Sequence, residues 1–339
     1  MSQAFTPKRV PVGVYGASGY AGLDTVEILS EHPCVEIVFA TSNTYAGQAV
    51  SGTALTYIPH DDAPLTDVDV VFLALPHKAS AEVAVKARSH GVKVVDLSAD
   101  FRLNTAESYA TWYQTPHPYP EMLPVPYGLP EINRAALHDI DLVAVPGCYP
   151  TTTLLGLYPL LKSKLLLPSA PIVVDAKSGV SGAGRNPSST THFVEVFGNV
   201  SPYKVGRVHR HVGELEQEIH KLDADAGTLI FTPHLIPVDR GLMASIYVTL
   251  NDDGAAQNIQ ALYEATYADE PLVDVLSAGT QATLKHVVRT NKAAISITPI
   301  NLQYLHITSV TDNLRKGAAG QAVQNFNLMC GFGETTALV

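Results

Sequence analysis

The chain has few cysteines, one tryptophan and little charge. Its three cysteines, Cys34, Cys148 and Cys330, are odd in number and widely spaced. They make neither a disulfide framework nor a metal-ligand pattern, so no metal is expected, and such usage fits a reducing cytoplasm. Charged residues make up 16% of the chain and leave a net charge of −10. A surface of that sign repels phosphate backbones, which argues against a nucleic-acid partner. No run of about 18 apolar residues occurs, so nothing is expected to span a membrane. Met1 to Val10 lacks an apolar signal core, so no export is expected. The lone Trp112, within Tyr109 to Tyr113, reads as structural. Apolar residues, by contrast, reach 46% over 339 residues, enough for two domains and a large core.

The first third alternates strand and helix: Arg9 to Tyr15, Val35 to Thr41, Val68 to Ala74 and Lys93 to Leu97 as strands, Tyr20 to Ser30 and Ser80 to His90 as helices. This rhythm predicts an α/β fold, a Rossmann-type open parallel sheet with helices on both faces. A loop rich in Pro and Tyr, Thr115 to Pro130, and a short strand, Leu142 to Val145, follow. Beyond the helix of residues 152–163, strands at Ile172 to Ala176, Leu229 to Pro237, Ala244 to Leu250, Ala282 to His286 and Ala294 to Ile300 predict a second, α+β domain with a mixed sheet. A closing helix within Ala318 to Cys330 can return to the first domain. The expected division is residues 1–147 with 315–339 for dinucleotide binding, and 148–314 for catalysis, substrate and oligomerisation.

Gly16-Ala-Ser18-Gly19-Tyr20-Ala-Gly22 follows a strand and opens a helix. The pattern GxxGxxG is a variant of the dinucleotide fingerprint, in which glycines allow a tight turn and let a pyrophosphate approach helix N–H groups. A turn that needs Gly only for packing would look the same. The second strand ends Phe39-Ala40-Thr41-Ser42-Asn43. No acid is present to hold a ribose 2′-hydroxyl, while small hydroxyls suit a 2′-phosphate, which favours NADP over NAD.

Cys148 lies in Val145-Pro-Gly-Cys-Tyr-Pro-Thr-Thr-Thr153, before the apolar run Leu154 to Leu161. Pro146 and Gly147 read as a turn and Thr151 onward as a helix start. A thiol at a helix N-terminus is expected to have a lowered pKa and to serve as a nucleophile for an acyl group. A small buried hydrophobe is the other reading of a free cysteine.

Eight motifs then occur in order: the Gly16 loop, Leu75-Pro-His77-Lys, Asp96-Leu-Ser-Ala-Asp-Phe-Arg102, Tyr127-Gly-Leu-Pro-Glu131, Pro146-Gly-Cys-Tyr149-Pro-Thr151, Ser178-Gly179-Val-Ser181-Gly182-Ala-Gly-Arg185, His209-Arg210-His211 and Thr232-Pro-His-Leu-Ile-Pro237. Together they resemble the N-acetyl-gamma-glutamyl-phosphate reductase family of arginine biosynthesis, with aspartate-semialdehyde dehydrogenase as a more distant relative. A branch of lysine biosynthesis, acting on a carrier-protein-linked aminoadipyl phosphate, is also similar; the negative charge speaks against an acidic carrier. A non-catalytic NADP-binding sensor on the same fold is the alternative of another class, and the intact Cys148, His209, His211 and Ser178 loop argue against it.

The resemblance implies NADPH-dependent reduction of a small-molecule acyl phosphate to an aldehyde through a thioester on Cys148, by a homodimer or homotetramer. It points to one of His209 and His211 as acid/base without separating them. In an extended segment both would face one side and Arg210 the other. Glu214 would orient His211 if a helix starts there. The family usually has Pro where this chain has Gly213. The substrate's carboxylate and phosphate call for cations, with Arg102, Lys177, Arg185, Lys204, Arg207 and Arg210 as options; Tyr149 and Glu214 join Arg102, Arg185 and Arg210 as substrate candidates. Ser178, Gly179, Ser181 and Gly182 are placed beside the nicotinamide, with His77 and Asn313 as cofactor neighbours.

Overall fold

The computed structural model describes residues 9–339, so the reading of Met1 to Lys8 lies outside the described residues. In chain order the elements are β1 (Val10–Tyr15), α1 (Tyr20–Ser30), β2 (Val35–Ala40), β3 (Val70–Leu73), α2 (Ala79–Ser89), β4 (Lys93–Asp96), α3 (Ala106–Tyr113), α4 (Pro130–Asn133), β5 (Leu142–Ala144), α5 (Cys148–Lys162), β6 (Ile172–Gly179), α6 (Phe193–Val196), β7 (Ser201–Pro202), α7 (His211–Leu222), β8 (Leu229–Ile236), β9 (Leu242–Thr249), α8 (Asp252–Ala255), α9 (Ile259–Thr266), β10 (Val273–Val275), β11 (Ala293–Pro299), β12 (Tyr304–Thr311) and α10 (Gly320–Met329). They fall into two compact units. One holds Met1–Phe101, Val125–Val145 and Ala319–Val339, and the other Arg102–Pro124 and Pro146–Ala318.

The first unit is a five-stranded sheet ordered β2-β1-β3-β4-β5, parallel at every pairing. All four residues of β3 are buried, as expected for a strand covered on both faces. Every residue of α10 is buried too, polar ones included, so its amides need partners. Gln321 and Asn325 both donate to the carbonyl of Gly128, each at 2.8 Å; this gives the Tyr127–Glu131 motif its structural work. The Asp96–Arg102 motif is likewise a folded turn. Asp100 accepts the backbone N–H groups of Lys78 and Ala81 at the start of α2, at 2.8 and 3.0 Å.

The second unit is a seven-stranded mixed sheet ordered β10-β11-β12-β9-β6-β8-β7. Along β6 and β9 buried residues alternate with partly open ones. The buried face packs on α5. The other face leaves Ile230, Tyr247 and Tyr304 exposed.

Several expectations need correction. Ala282 to His286 is not a strand: residues 284–286 form a single tight turn capped by Thr283 and His286. The capping exchange outweighs the alternating pattern. β12 and α3 were not foreseen. Residues 102–124, expected in the first domain, group with the second unit, because α7 grips them: Gln217 accepts from Asn104 N at 2.8 Å and donates to Arg102 O at 3.1 Å.

Candidate functional site

In the first unit the fingerprint loop joins β1 to α1. Gly16 has φ +69°, a left-handed turn favouring glycine. Gly19 caps α1 with no side-chain hydrogen bond and no acid in the first turn, so the helix leaves its N–H groups unmatched by side chains. A Cβ at Gly19 would meet only Gly16 O, at 3.5 Å; the loop therefore has room for a diphosphate. Ser18 and Ser42 share a 2.7 Å hydrogen bond. Thr41 is fully buried, accepts from Gly16 N at 3.2 Å and pairs with His60 Nδ1 at 2.6 Å. Thr41 thus shapes the loop instead of offering a free hydroxyl. Tyr20 and Gly22 lie in the first turn of α1. His77 is exposed in the turn between β3 and α2. The open loop and the acid-free end of β2 fit a dinucleotide carrying a 2′-phosphate.

In the second unit α5 begins at Cys148 itself, three residues earlier than expected, so the thiol sits on the first turn. Gly147 caps it, again without a side-chain hydrogen bond. A Cβ at Gly147 would lie 2.4 Å from His211 Nε2 and 2.9 Å from Arg102 Nη1; only glycine lets both side chains close on this turn. Gly147 N donates to Glu214 Oε1 at 2.8 Å, and Arg102 pairs with Glu214 Oε2 at 3.5 Å. Behind Cys148, a Cβ at Gly317 would come within 2.8 Å of the cysteine Cβ. This contact was not foreseen, although the signal lay in the run from Asn313 to Gly317.

The thiol does not have the lowered pKa expected from its helix position. Burial pushes it up to about 11, although Arg102 and the N–H groups of Tyr149 and Cys148 pull it down. Desolvation of the charged form outweighs the helix terminus here. The residue still keeps partial exposure.

His209 and His211 come together, their rings 4.8 Å apart, but through a turn entering α7 and not an extended segment. His209 Nδ1 accepts from His211 N at 3.2 Å, which engages that nitrogen at the start of α7. Burial, then Lys204 and Arg210, push His209 down to about 4. Burial, then His209 and Arg102, hold His211 well below its usual range. His211 Nδ1 is buried without a hydrogen-bond partner. Glu214 therefore does not orient His211: its Oε1 is held by the cysteine turn and its Oε2 faces Arg102.

Tyr149 packs edge-on against His209, His211 and Phe231, and Tyr203 donates to its hydroxyl at 3.1 Å. Arg210 lies over the Tyr113 ring at 5.2 Å. The other cations are engaged elsewhere: Lys177 pairs with Asp175 at 2.8 Å and Arg207 with Glu216. Arg185 is exposed. Ser178 is buried. Backbone N–H groups of Gly179, Val180 and Ser181 bind carbonyls of Gly241, Val238 and Asp239, so this part of the loop is braced, not open. Asn313 completes the brace, accepting from Gly241 N at 2.7 Å and donating to Ser181 Oγ at 2.9 Å. Gly182 is exposed beyond it.

A parallel nucleotide-type sheet joined to a mixed-sheet unit with a cysteine at a helix start defines the semialdehyde dehydrogenase class. Residues 11–140 match the family model "Semialdehyde dehydrogenase, NAD binding domain" and residues 148–313 match "Semialdehyde dehydrogenase, dimerisation domain". The same fold occurs in aspartate semialdehyde dehydrogenase II from Vibrio cholerae in complex with ASA, at a TM-score of 0.74 and 19% identity, covering 95% of this chain and 98% of that one. Curated relatives are closer. N-acetyl-gamma-glutamyl-phosphate reductase of Moorella thermoacetica is 43% identical over 97% of this chain and 98% of its own length. That of Desulforudis audaxviator is 45% identical, with the same coverage. The chain belongs to the N-acetyl-gamma-glutamyl-phosphate reductase family.

Proposed function

We propose that this protein reduces N-acetyl-glutamyl 5-phosphate to N-acetyl-glutamate 5-semialdehyde, releasing phosphate, with NADPH as reductant and Cys148 as covalent nucleophile. The step belongs to arginine biosynthesis. The observation that carries the reading is the turn at Gly147, where Cys148 opens α5 with His211 Nε2 and Arg102 closed on the preceding residue.

His211, held neutral by burial, takes the thiol proton; burial opposes both charges so formed, and Arg102 with the N–H groups of Tyr149 and Cys148 is what favours the thiolate. The thiolate attacks the acyl carbon, a C–S bond forms and the C–O bond to phosphate breaks; the departing phosphate takes its proton from water. NADPH, when bound, supplies the hydride that reduces the thioester carbon. As the C–S bond then breaks, the aldehyde leaves and His211 returns its proton to sulfur. Arg102 and Arg210 bind the carboxylate and phosphate charges. Tyr149, with Tyr203 on its hydroxyl, walls the substrate. Glu214 fixes the cysteine turn through Gly147 N and pairs with Arg102, a positioning role. The Gly16–Gly22 loop would hold the pyrophosphate, Ser18 and Ser42 are the candidates for the 2′-phosphate, and His77, Ser178–Gly182 and Asn313 are the other candidate cofactor residues. The matched dimerisation model and the open sheet face with Ile230, Tyr247 and Tyr304 support a homo-oligomer.

The test is NADP reduction with the N-acetyl aldehyde in the presence of phosphate or arsenate. Turnover that depends on the anion and disappears on alkylation of Cys148 is expected. A mass adduct at Cys148 trapped from the acyl phosphate should accompany it. Turnover that survives alkylation overturns the covalent route, and a chain that binds NADPH without any turnover is the sensor.

A further inference from the structure

We infer that Trp112, with Tyr113, is a positioning residue for His211, acting through Gly213. The inference rests on the reading of His211 as the proton carrier. A His in that role normally has its second nitrogen held by a carboxylate or carbonyl, which fixes the ring. Here Nδ1 has no such partner, and the carboxylate one turn on, Glu214, is committed to Gly147 N and Arg102. The ring's placement then rests on its packing against Tyr149 and His209 and on the backbone of the first turn of α7.

That turn is held from outside by α3. A Cβ at Gly213 would lie 2.3 Å from both Cδ1 and Nε1 of Trp112, so the indole lies directly against the helix backbone two residues past His211. On the other side of His211, the Arg210 guanidinium sits over Tyr113, 5.2 Å from its ring centre, a cation–π contact. Two adjacent aromatic residues of one helix thus flank the histidine at positions 210 and 213. Thr105 caps α3 by accepting from Ser108 N at 3.1 Å, and Gln217 ties residues 102–104 to the second turn of α7. Both ties fix the N-terminal end of α3. The indole fills the space above Gly213.

A displacement of about 1 Å at a reacting group can cost about 100-fold in rate. Trp112→Ala is therefore expected to lower kcat about 10-fold or more, with KM for the acyl phosphate within about twofold, and Trp112→Phe to recover most of the loss. Loosening the turn also admits water to His211, so the acidic limb of the kcat profile should move up toward the ordinary His range near pH 6.5. A purely structural role would lower stability without moving that limb. The sharper experiment is a cycle with Gly213→Ala, whose Cβ collides with the indole. This variant should lose at least about 10-fold in kcat on its own and almost nothing further in the Trp112→Ala background. Folded Trp112→Ala protein with unchanged kcat and an unchanged acidic limb overturns the inference, and so does a Gly213→Ala loss that is equal in both backgrounds. Full activity in His211→Asn would overturn the proton-carrier reading instead, which keeps the two failures distinct.

Discussion

Two turns in this molecule share one backbone and differ in what closes them. Gly19 before α1 has φ −72° and ψ 163°, and Gly147 before α5 has φ −68° and ψ 155°. Each glycine caps a helix with no side-chain hydrogen bond and no acidic residue in the first turn, but at α5 the N–H of the capping glycine is taken by Glu214 Oε1 from another helix. Above Gly19 there is open space. Above Gly147 stand His211 and Arg102. The same device suits a diphosphate where it is left open, and a nucleophile where side chains of the chain itself occupy it. An open helix terminus thus acquires its chemistry from its neighbours.

That contrast can be broken first at the histidines. His211→Asn should lower kcat by about 100-fold or more, the range expected for loss of a proton carrier. His209→Asn should keep most of the activity, since an amide oxygen can still accept from His211 N. Steady-state rates with NADPH check both, and equal losses would erase the distinction between the rings.

Gly147→Ala against Gly19→Ala tests the contrast itself. The first drives a methyl group into His211 and Arg102 and should cost about 100-fold in kcat while leaving NADPH affinity unchanged. The second meets no close neighbour within the fold, so it should raise the Kd for NADPH and leave the alkylation rate of Cys148 untouched. Fluorescence titration and iodoacetamide kinetics separate these outcomes, and a swap of the two phenotypes would refute the comparison.

A smaller effect is expected at Glu214. Glu214→Ala removes the acceptor for Gly147 N and a carboxylate paired with Arg102, leaving a buried backbone donor unmatched. A loss of about 10-fold in kcat is expected, with Glu214→Gln milder because its amide oxygen still accepts from Gly147 N.

The last effect is on stability against pH, not on rate. Burial holds His209 at about 4 and His211 well below 6.5. Between about pH 6.5 and 4 the unfolded chain binds protons that the folded chain does not, so stability falls as pH drops through this window. His209 accounts for on the order of 3 kcal/mol at its lower end. Urea midpoints from pH 7.5 to 4.5 should decline, and His209→Asn should flatten the decline; an unchanged slope would contradict the burial of this ring.

Much of this was legible in the residue order. The strand–glycine–helix pattern marked both turns, because local backbone demands leave local signatures. The parallel sheet followed from continuous apolar strands such as Val70–Leu73. What escaped depended on tertiary partners. The Cys148 thiol is raised because the chain buries it, which no helix-end argument contains. Glu214 serves Gly147, 67 residues away, and only the folded register reveals that. Helix α3 lacks a strong apolar stripe, with Tyr109 as its one fully buried residue, so periodicity passed over it. Ala282 to His286 alternates like a strand, yet a capping exchange between Thr283 and His286 curls it.

The single indole of the chain rests on the very turn that carries His211. Its emission is consequently an unlabelled optical gauge of that turn. Any ligand that tightens or loosens the entry to α7 will announce itself as a spectral shift in the native protein, before a single residue is replaced.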